Sequence, residues 1–409
     1  MSRPPTCEER SHWKKLVTPQ LTRGRPVYGW FVFPHSFDKA LVEEILQELA
    51  VSAGASVWDP FVGAGTTVLT CRDQGIVAWG SDLLPLSVLV TQAKTAIYDI
   101  YALQAAFEGF SYNIRRGTRD RFADVPVIRK AIPARIRLRV SSLLDQIGEL
   151  DEPARSFFTT ALISVLERCS HAVKSGGWLR IDESKAVQES DVRLRFTEQV
   201  GRMLNDIREG EESHHLKPVP HVWLGDARSE HLPTAVDAII TSPPYLNRHD
   251  YTRVFALELA LIGVANADEL KALRYRALRS HVEAQAPQSL RASYRVPRGL
   301  DLCLQQIEQQ GANDRRVPGM IRGYFEDMFH VLLNAGENLR AGGGAAFVLG
   351  DVRFSGTMVP VIDLTVELGR QAGLTPEKVI IARYRGNSSQ QMGTYGRERA
   401  REGVVIFRK

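Results

Sequence analysis

The sequence predicts a doubly wound α/β fold, in which helices cover both faces of a mainly parallel β-sheet. Residues 56–82 run from a short apolar stretch through a glycine-rich turn and a helical stretch to a second apolar stretch ending at Asp82. Further apolar and helical stretches alternate towards the end of the chain. This alternation is typical of parallel sheets that bind a nucleotide-like ligand at the carboxyl ends of their strands.

The individual elements follow from hydrophobic spacing and from glycines that end helices. Helices are predicted at residues 38–51, 68–75, 86–108, 323–343 and 361–373. Strands are predicted in SVWDP, IVAWGSD, HVWLGDAR, VDAIITSPPY, AAFVLGDV, VIIARYR and GVVIFRK. The alternation is interrupted twice, by a mainly helical region at 109–220 and by a basic, strand-poor region from 263 to about 320.

Composition excludes several classes of protein. The 409 residues include 44% hydrophobic and 24% charged residues, and no apolar run approaches the roughly 18 residues of a membrane span. Four cysteines lie far apart without a CxxC pair, so we expect no metal site and a reducing, cytoplasmic environment. The length predicts a catalytic core with inserted modules.

Positive charge is concentrated in two places, although the net charge is only +5. The first basic stretch, residues 115–139, has nine Lys/Arg and two Asp. The second basic stretch, residues 271–298, has seven Lys/Arg and one Glu, with Tyr275 and Tyr294 interleaved. Such stretches are typical of phosphate contact and base stacking, although each alone is equally compatible with a solvated helix face.

The motif DPFVGAGTT, residues 59–67, indicates a ligand without a phosphate cradle. Glycines at 63 and 65 let the backbone turn tightly and approach a ligand. Val68 stands where GxGxxG would have its third glycine, and no Walker lysine follows. Asp59 and Asp82 suit a cationic amine and a ribose diol, both of which S-adenosylmethionine carries.

The motif TSPPY, residues 241–245, follows a predicted strand. Pro243 and Pro244 stiffen the backbone and remove two amide donors, so the carbonyls of Ser242 and Pro243 can face a ligand as acceptors. Acceptors aimed at the hydrogens of a base amine favour a tetrahedral nitrogen with an available lone pair. Tyr245 offers a flat face for a base flipped out of the duplex.

Together, DPFVGAGTT and TSPPY resemble the motifs of the S-adenosylmethionine-dependent amino-group DNA methyltransferases. WFVFPHSF, Ser81-Asp82 and GDAR at 225–228 are similar to further parts of that pattern. The resemblance implies catalytic residues Ser242, Pro243, Pro244 and Tyr245. It implies cofactor-binding residues Phe33, Asp59, Pro60, Phe61, Gly63, Gly65, Thr66, Asp82 and Asp226, with Asp226 at the adenine amino group.

The resemblance also implies a seven-stranded, Rossmann-like methyltransferase sheet carrying two insertions, the first mainly helical. Residues 1–108 would hold the N-terminal segment and the cofactor-binding half of the core, 221–262 the catalytic motif, and 321–409 the rest of the core. The insertion at 109–220 is a candidate DNA-recognition module, and the basic insertion at 263–320 a candidate DNA contact. Cofactor motif precedes catalytic motif along the chain.

Ser at position 242 favours N4 of cytosine, because SPPY in this family is associated mainly with that target and DPPY or NPPY with adenine N6. Carbon-5 methylation is disfavoured, since its nucleophilic cysteine typically follows a proline directly and none of the four cysteines does. Alternatives are adenine N6 in DNA, an RNA base amine, and an inactive nucleic-acid-binding subunit. A Rossmann oxidoreductase is disfavoured by the missing third glycine.

Double-stranded DNA is the expected substrate, and a cognate restriction endonuclease is a candidate partner. The expected location is the cytoplasm of a prokaryotic cell, at the nucleoid. Candidate DNA contacts follow the catalytic motif or lie in the polar loop before the last strand: Arg248, Tyr251, Arg253, Asn387, Ser388, Gln390 and Gln391.

Overall fold

The computed structural model describes residues 4–175, 178–214, 217–264, 266–285, 293–311, 314–386 and 399–409. Strands in these ranges are β1 (Thr6–Glu9), β2 (Ser56–Asp59), β3 (Val77–Asp82), β4 (Ala172–Ser175), β5 (Trp178–Ile181), β6 (His221–Leu224), β7 (Val236–Thr241), β8 (Leu339–Gly350), β9 (Val352–Phe354), β10 (Thr357–Val359), β11 (Thr375–Arg385) and β12 (Ala400–Arg408). Within the described residues, eight strands form one sheet in the order β1-β11-β12-β8-β7-β2-β3-β6. The predicted α/β class is confirmed.

The sheet is mostly parallel. Strand β12 is antiparallel to both of its neighbours, β8 and β11, and the other pairs in this sheet are parallel. The predicted count of seven strands is wrong by one, because β1 pairs with β11 from Thr6 opposite Lys378 to Glu9 opposite Ile381. An edge strand can be recruited through its backbone alone, so the polar sequence TCEE carries no apolar alternation to reveal it.

The α-helices are α1 (Lys39–Glu48), α2 (Thr66–Asp73), α3 (Pro85–Thr95), α4 (Ile100–Glu108), α5 (Pro126–Ala131), α6 (Ala134–Gly148), α7 (Ala154–Val165), α8 (Glu189–His214), α9 (Tyr251–Val254), α10 (Ala256–Leu261), α11 (Ala267–Arg276), α12 (Arg298–Gln309), α13 (Val317–Asn338) and α14 (Val361–Gln371). Apolar side chains of α1 and α2 pack with one face of the sheet, including Val57 and Ile240. Side chains of α13 and α14 pack with the other, including Trp58 and Ile239. Alternating residues of a strand thus supply two separate cores.

The region between β3 and β6 builds its own core. Helices α3 to α8 and the antiparallel hairpin β4–β5 occupy it, and the hairpin is an element that the sequence does not predict. Phe157, Phe158 and Phe196 are fully buried among the helices. Contacts of this core with Trp30 and Phe31 join it to the N-terminal segment.

The predicted bounds of the helix at 323–343 are wrong at both ends. Helix α13 spans Val317–Asn338, and the glycine-rich residues after it begin β8. Leu339 pairs with Val236, and Gly342 N–H donates to the carbonyl of Lys409 at 3.0 Å. The glycines therefore belong to a strand beside the chain's last residue, where the pattern indicated a helix end.

Among the described residues, no helix is long and apolar enough to cross a membrane. No group of three or more His, Cys, Asp or Glu side chains in those ranges is arranged to hold a metal ion.

Candidate active site

A cavity lies at the carboxyl ends of the central strands and contains both predicted motifs. It is lined by parts of the N-terminal segment, the glycine turn, the ends of β3 and β6, and the residues after β7. The second basic stretch also contributes to it. The predicted site residues in the lining are Phe33, Asp59, Pro60, Phe61, Gly63, Thr66, Asp82, Asp226, Ser242, Pro243, Pro244, Tyr245 and Tyr251.

The two glycines of the turn have different surroundings. Gly63 has φ +50° and lines the cavity, and an added Cβ would stand 3.3 Å from the ring of Phe33. Gly65 has φ +82° at the start of α2, and a Cβ there would stand 2.8 Å from the Thr91 side chain on α3. Gly63 therefore keeps the cavity open beside Phe33, whereas Gly65, which does not line the cavity, allows two helices to approach.

Asp82 ends β3 and fastens the glycine turn to it. Its carboxylate accepts from the N–H of Gly63 at 3.0 Å and from the N–H of Leu84 at 2.9 Å. Burial raises the pKa of Asp82, and the backbone N–H groups oppose that rise. An acid held in this way, at a strand end facing the cavity, is suited to accept from ribose hydroxyls.

Asp59 joins the two motifs directly. Its Oδ1 accepts from the hydroxyl of Thr241 at 2.6 Å and from the N–H of Phe61 at 3.1 Å. The side chain is buried, and burial raises its pKa to about 6. Because Oδ1 is already engaged on both sides, the geometry fits a junction between the motifs better than the predicted contact with a ligand amine.

Asp226 lines the cavity, but its carboxylate is engaged by Arg228. The guanidinium donates from Nε to Oδ1 at 2.9 Å and from Nη2 to Oδ2 at 2.8 Å. Arg228 also lies 3.3 Å from Asp327, a fully buried residue of α13. The predicted contact of Asp226 with an adenine amino group would therefore require sharing a carboxylate that already forms a bidentate ion pair.

A buried lysine attaches the N-terminal segment to the glycine turn. Lys94 Nζ on α3 donates to the carbonyls of Tyr28, Phe31 and Ala64 at 2.9, 2.6 and 2.9 Å. Burial lowers the pKa of Lys94 to about 7. These bonds set the path of the chain that leads to Phe33 and His35 in the cavity wall.

The catalytic motif is held by the C-terminal strands. Ser242 Oγ donates to the carbonyl of Val348 on β8 at 3.3 Å, and Tyr245 Oη donates to Glu402 Oε1 on β12 at 3.1 Å. Glu402 in turn accepts from Arg383 Nε at 2.5 Å. Tyr245, which lines the cavity, is thus fixed at the hydroxyl end of its ring.

The candidate DNA contacts after the motif fall into two groups. Tyr251 lies inside the cavity, with its ring edge-on to His35 at 6.3 Å. Arg248 and Arg253 are about two-fifths exposed and do not line the cavity; Arg253 pairs with Asp250 at 3.3 Å. Arg248 has φ +67°, an unusual conformation directly after the motif. Asn387, Ser388, Gln390 and Gln391 lie outside the described residues.

Several cavity residues carry no signal in the sequence. Leu273, Ala277, Leu278, Ser280 and His281 belong to the second basic stretch yet line the cavity beside the catalytic motif. They lie about 30 to 40 positions beyond Ser242, and no spacing rule connects them to it. His35 also lines the cavity, whereas the sequence predicts only Phe33 of WFVFPHSF as a site residue.

The residues present fit S-adenosylmethionine. The Gly63 backbone leaves room that a Cβ would narrow, Phe33 supplies an apolar wall, and Asp82 supplies an acceptor at the strand end. His281 adds a buried polar side chain to the same cavity. The glycine turn and these polar groups match a ligand with apolar, hydroxyl and heterocyclic parts.

The chain is similar to curated methyltransferases over nearly its whole length. Type II methyltransferase M.BsoBI of Geobacillus stearothermophilus is 28% identical, covering 97% of this chain and 88% of the relative. Type II methyltransferase M.AvaI of Nostoc sp. is 29% identical, covering 97% and 89%. Type II methyltransferase M.MjaII of Methanocaldococcus jannaschii is 34% identical over 82 residues, 20% of this chain and 15% of that one.

Other comparisons add less. No protein-family model matches the chain. Among solved structures, the rRNA methyltransferase aviRa of Streptomyces viridochromogenes is 12% identical with a TM-score of 0.31, covering 98% of this chain and 94% of that chain. The full-length likeness to M.BsoBI and M.AvaI agrees with the two motifs brought together in the cavity. The chain therefore resembles the amino-group DNA methyltransferases of the N4-cytosine and N6-adenine type, and S-adenosylmethionine is its methyl donor.

Proposed function

We propose that the protein methylates the exocyclic N4 of cytosine in a specific sequence of double-stranded DNA. The observation that carries the proposal is the contact between the two motifs, in which Thr241 donates to Asp59 at 2.6 Å beside one shared cavity. A reaction between a bound methyl donor and a base amine needs both binding places within reach of one another. The full-length methyltransferase relatives support the reaction class.

Residues on the glycine-turn side would hold the cofactor. Asp82 would accept from its ribose hydroxyls, the Gly63 backbone would allow close approach, and Phe33 would cover its apolar part. When bound, S-adenosylmethionine supplies an electrophilic methyl group on a sulfonium. The apolar wall around Phe33 would exclude water from that region.

Residues on the TSPPY side would prepare the amine. Ser242 donates its own hydroxyl proton to Val348, so its oxygen lone pairs can still accept from an amine hydrogen. The carbonyls of Ser242 and Pro243 would act in the same sense and favour a tetrahedral nitrogen with its lone pair towards the methyl group. No covalent nucleophile is required.

Tyr245 would stack on the flipped base. Its hydroxyl is held by Glu402, so the orientation of its ring is set before any base arrives. The guanidinium of Arg385 lies 5.7 Å from the centre of the same ring. A fixed aromatic face reduces the entropy lost on binding a base.

Cytosine N4 is preferred over adenine N6 because of Ser242. A neutral hydroxyl oxygen accepts a hydrogen bond more weakly than the carboxylate found in DPPY motifs. The family association of SPPY with cytosine N4 points the same way. Adenine N6 is the principal alternative, since both targets are amines beside a ring nitrogen.

Arg248 and Arg253, partly exposed outside the cavity, are proposed to contact DNA phosphates next to the flipped base. Tyr251 lies too deep in the cavity to reach the DNA backbone and would instead contact the cofactor or the base. We also propose that the enzyme protects DNA against a cognate restriction endonuclease in a prokaryotic cytoplasm; its relatives from Geobacillus stearothermophilus and Nostoc sp. are Type II methyltransferases.

Product identification tests the proposal. The protein is incubated with labelled S-adenosylmethionine and, in separate reactions, unmodified plasmid DNA or total RNA; each nucleic acid is digested to nucleosides, and the methylated nucleoside is identified by mass. We expect N4-methylcytosine. N6-methyladenine would overturn the base assignment, label only in an RNA substrate would overturn the DNA substrate, and no label would leave an inactive binding subunit.

The Asp82→Ala variant is the matched control. We expect it to lose binding of S-adenosylmethionine in calorimetry and to yield no product, while it keeps most of its DNA affinity. Wild-type binding of the cofactor by Asp82→Ala would contradict the role of Asp82.

A further inference from the structure

The second basic stretch contributes a wall of the catalytic cavity. After α11 ends at Arg276, residues 277–281 run beside the catalytic motif, with Ala277, Leu278, Ser280 and His281 in the cavity lining. The carbonyl of Ser280 accepts from the N–H of Arg248, three residues after Tyr245. This wall is therefore attached to the loop that carries the catalytic motif.

His281 is the polar side chain of this wall that lacks a partner. It is 4% exposed, and neither ring nitrogen has a hydrogen-bond partner among the residues that the structure describes. Burial lowers the pKa of His281, so the imidazole is neutral near pH 7 and carries one donor and one acceptor nitrogen. Buried polar groups are normally hydrogen-bonded, which makes an exception that faces a cavity informative.

Neighbouring contacts hold His281 in place. Arg279 donates through its backbone N–H and its Nη2 to Asp327, at 2.8 and 2.7 Å. The Arg279 side chain lies against Gly323 on α13, where a Cβ would stand 2.7 Å from Cδ. With Arg279 held on one side and Ser280 bound to Arg248 on the other, the position of the imidazole is fixed before a ligand enters.

The charged groups near His281 are already paired. Asp250 binds Arg274 at 2.7 Å and Arg253 at 3.3 Å, and Arg253 also lies 3.9 Å from Glu283. These acids do not need an imidazolium to balance them. The two ring nitrogens are therefore suited to an uncharged polar ligand.

We propose that His281 hydrogen-bonds an amino-heterocycle in this cavity, through one ring nitrogen that donates to a ring nitrogen or accepts from an exocyclic amine. The proposal rests on the proposed function, which brings two such groups here: the adenine of the cofactor and the target base. Contact with the adenine is consistent with the pairing of Asp226 and Arg228, because Arg228 already engages the carboxylate that was expected to bind the adenine amino group. Contact with the target base is consistent with the hydrogen bond between Ser280 and Arg248 in the loop that carries the catalytic motif.

The test uses the full-length protein with two substitutions and one matched control. His281→Phe keeps a planar ring and removes both nitrogens, whereas His281→Asn keeps a donor and an acceptor. His221→Phe is the control, because His221 stacks on Trp79 at the sheet edge, away from the cavity lining. Binding of S-adenosylhomocysteine is measured by calorimetry, and kcat and KM for plasmid DNA are measured separately.

Losing one neutral hydrogen bond should change the relevant constant by about three- to tenfold. In His281→Phe, weaker S-adenosylhomocysteine binding would assign the contact to adenine. A similar loss in kcat/KM for DNA with unchanged S-adenosylhomocysteine binding would assign it to the target base. We expect partial recovery in His281→Asn and none of these changes in His221→Phe.

Wild-type protein provides a measurement that does not depend on a variant folding. S-adenosylhomocysteine analogues with 1-deaza, 3-deaza or 7-deaza adenine each remove one ring acceptor. A loss confined to one analogue and abolished in the variants would support the adenine contact. Unchanged binding of all three, together with His281→Phe constants within twofold of wild type, would overturn the inference. Wild-type protein that binds no S-adenosylhomocysteine and methylates no DNA would instead overturn the proposed function.

Discussion

The two basic stretches look alike in sequence but have different places in the fold. Arginines of the first stretch pair with nearby acids, including Arg115 with Glu149 at 2.8 Å and Arg137 with Asp120 at 2.8 Å. No residue of 115–139 lines the cavity. The second stretch supplies part of the cavity wall and is anchored by Arg279 on the fully buried Asp327.

The difference shows that charge density alone does not locate a functional surface. In the first stretch, carboxylates from α6 and from the start of α8 neutralise several arginines. The second stretch follows the catalytic motif along the chain, so a short connection returns it to the carboxyl ends of the strands. Its apolar and neutral polar residues, more than its charges, reach the site.

The largest effect expected to separate the two stretches is on stability. Asp327→Asn weakens the buried anchor shared by Arg279 and Arg228 and should lower the free energy of unfolding by about 3 kcal/mol. Asp120→Asn keeps the bond from the N–H of Phe122 and weakens only a partly exposed pair, so we expect about 1 kcal/mol or less. Urea denaturation measures both. Equal losses of unfolding free energy in the two variants would show that the two basic stretches do not differ in how firmly they are anchored.

An intermediate effect is expected on DNA binding. Lys271 and Arg276 are exposed beside the cavity wall, and Arg129 with Lys130 are exposed in the first stretch. The double substitution Lys271→Gln, Arg276→Gln in the second basic stretch should weaken DNA binding about tenfold. It should also lower the slope of log affinity against log salt concentration by about 2. The matched Arg129→Gln, Lys130→Gln variant in the first basic stretch should change the DNA affinity and its salt slope only slightly. A larger effect in that control would move DNA contact to the first stretch.

The smallest effect expected is a pH dependence. Because burial lowers the pKa of His281 below its ordinary 6.5, the unfolded chain binds more protons than the folded one just below that pH. This contribution to stability is present above about pH 6.5 and is lost as pH falls towards the folded pKa. His281→Phe should therefore lose less stability than wild type between pH 7 and 5, as thermal unfolding would measure. His35, whose pKa is lowered to about 4, contributes equally to both proteins.

The sequence predicts the parts of the site that local chemistry determines. Asp82 ends an apolar strand, and Gly63 and Ser242 each come within four residues of the end of one. Because the carboxyl ends of neighbouring parallel strands meet at one edge, the approach of these residues follows from the topology. Helix spacing likewise predicts the bounds of α1 and α14 to within three residues.

Other parts depend on contacts that no local pattern records. The bond between Thr241 and Asp59 joins residues 182 positions apart, and it changes the interpretation of an acid that was expected to bind an amine. Arg228 lies two residues from Asp226 in the sequence, but only the structure shows that its guanidinium turns back on that carboxylate. Strand β1 is recruited by backbone bonds, which leave no trace in its polar side chains.

Lys94 has a consequence for how the methyl donor enters and the spent product leaves. Lifting the N-terminal segment away from the glycine turn would strand one ammonium and the carbonyls of Tyr28, Phe31 and Ala64 in an apolar interior. The side of the cavity formed by the N-terminal segment is therefore expected to stay fixed. Exchange of small molecules between turnovers is therefore expected to leave these three hydrogen bonds of Lys94 intact.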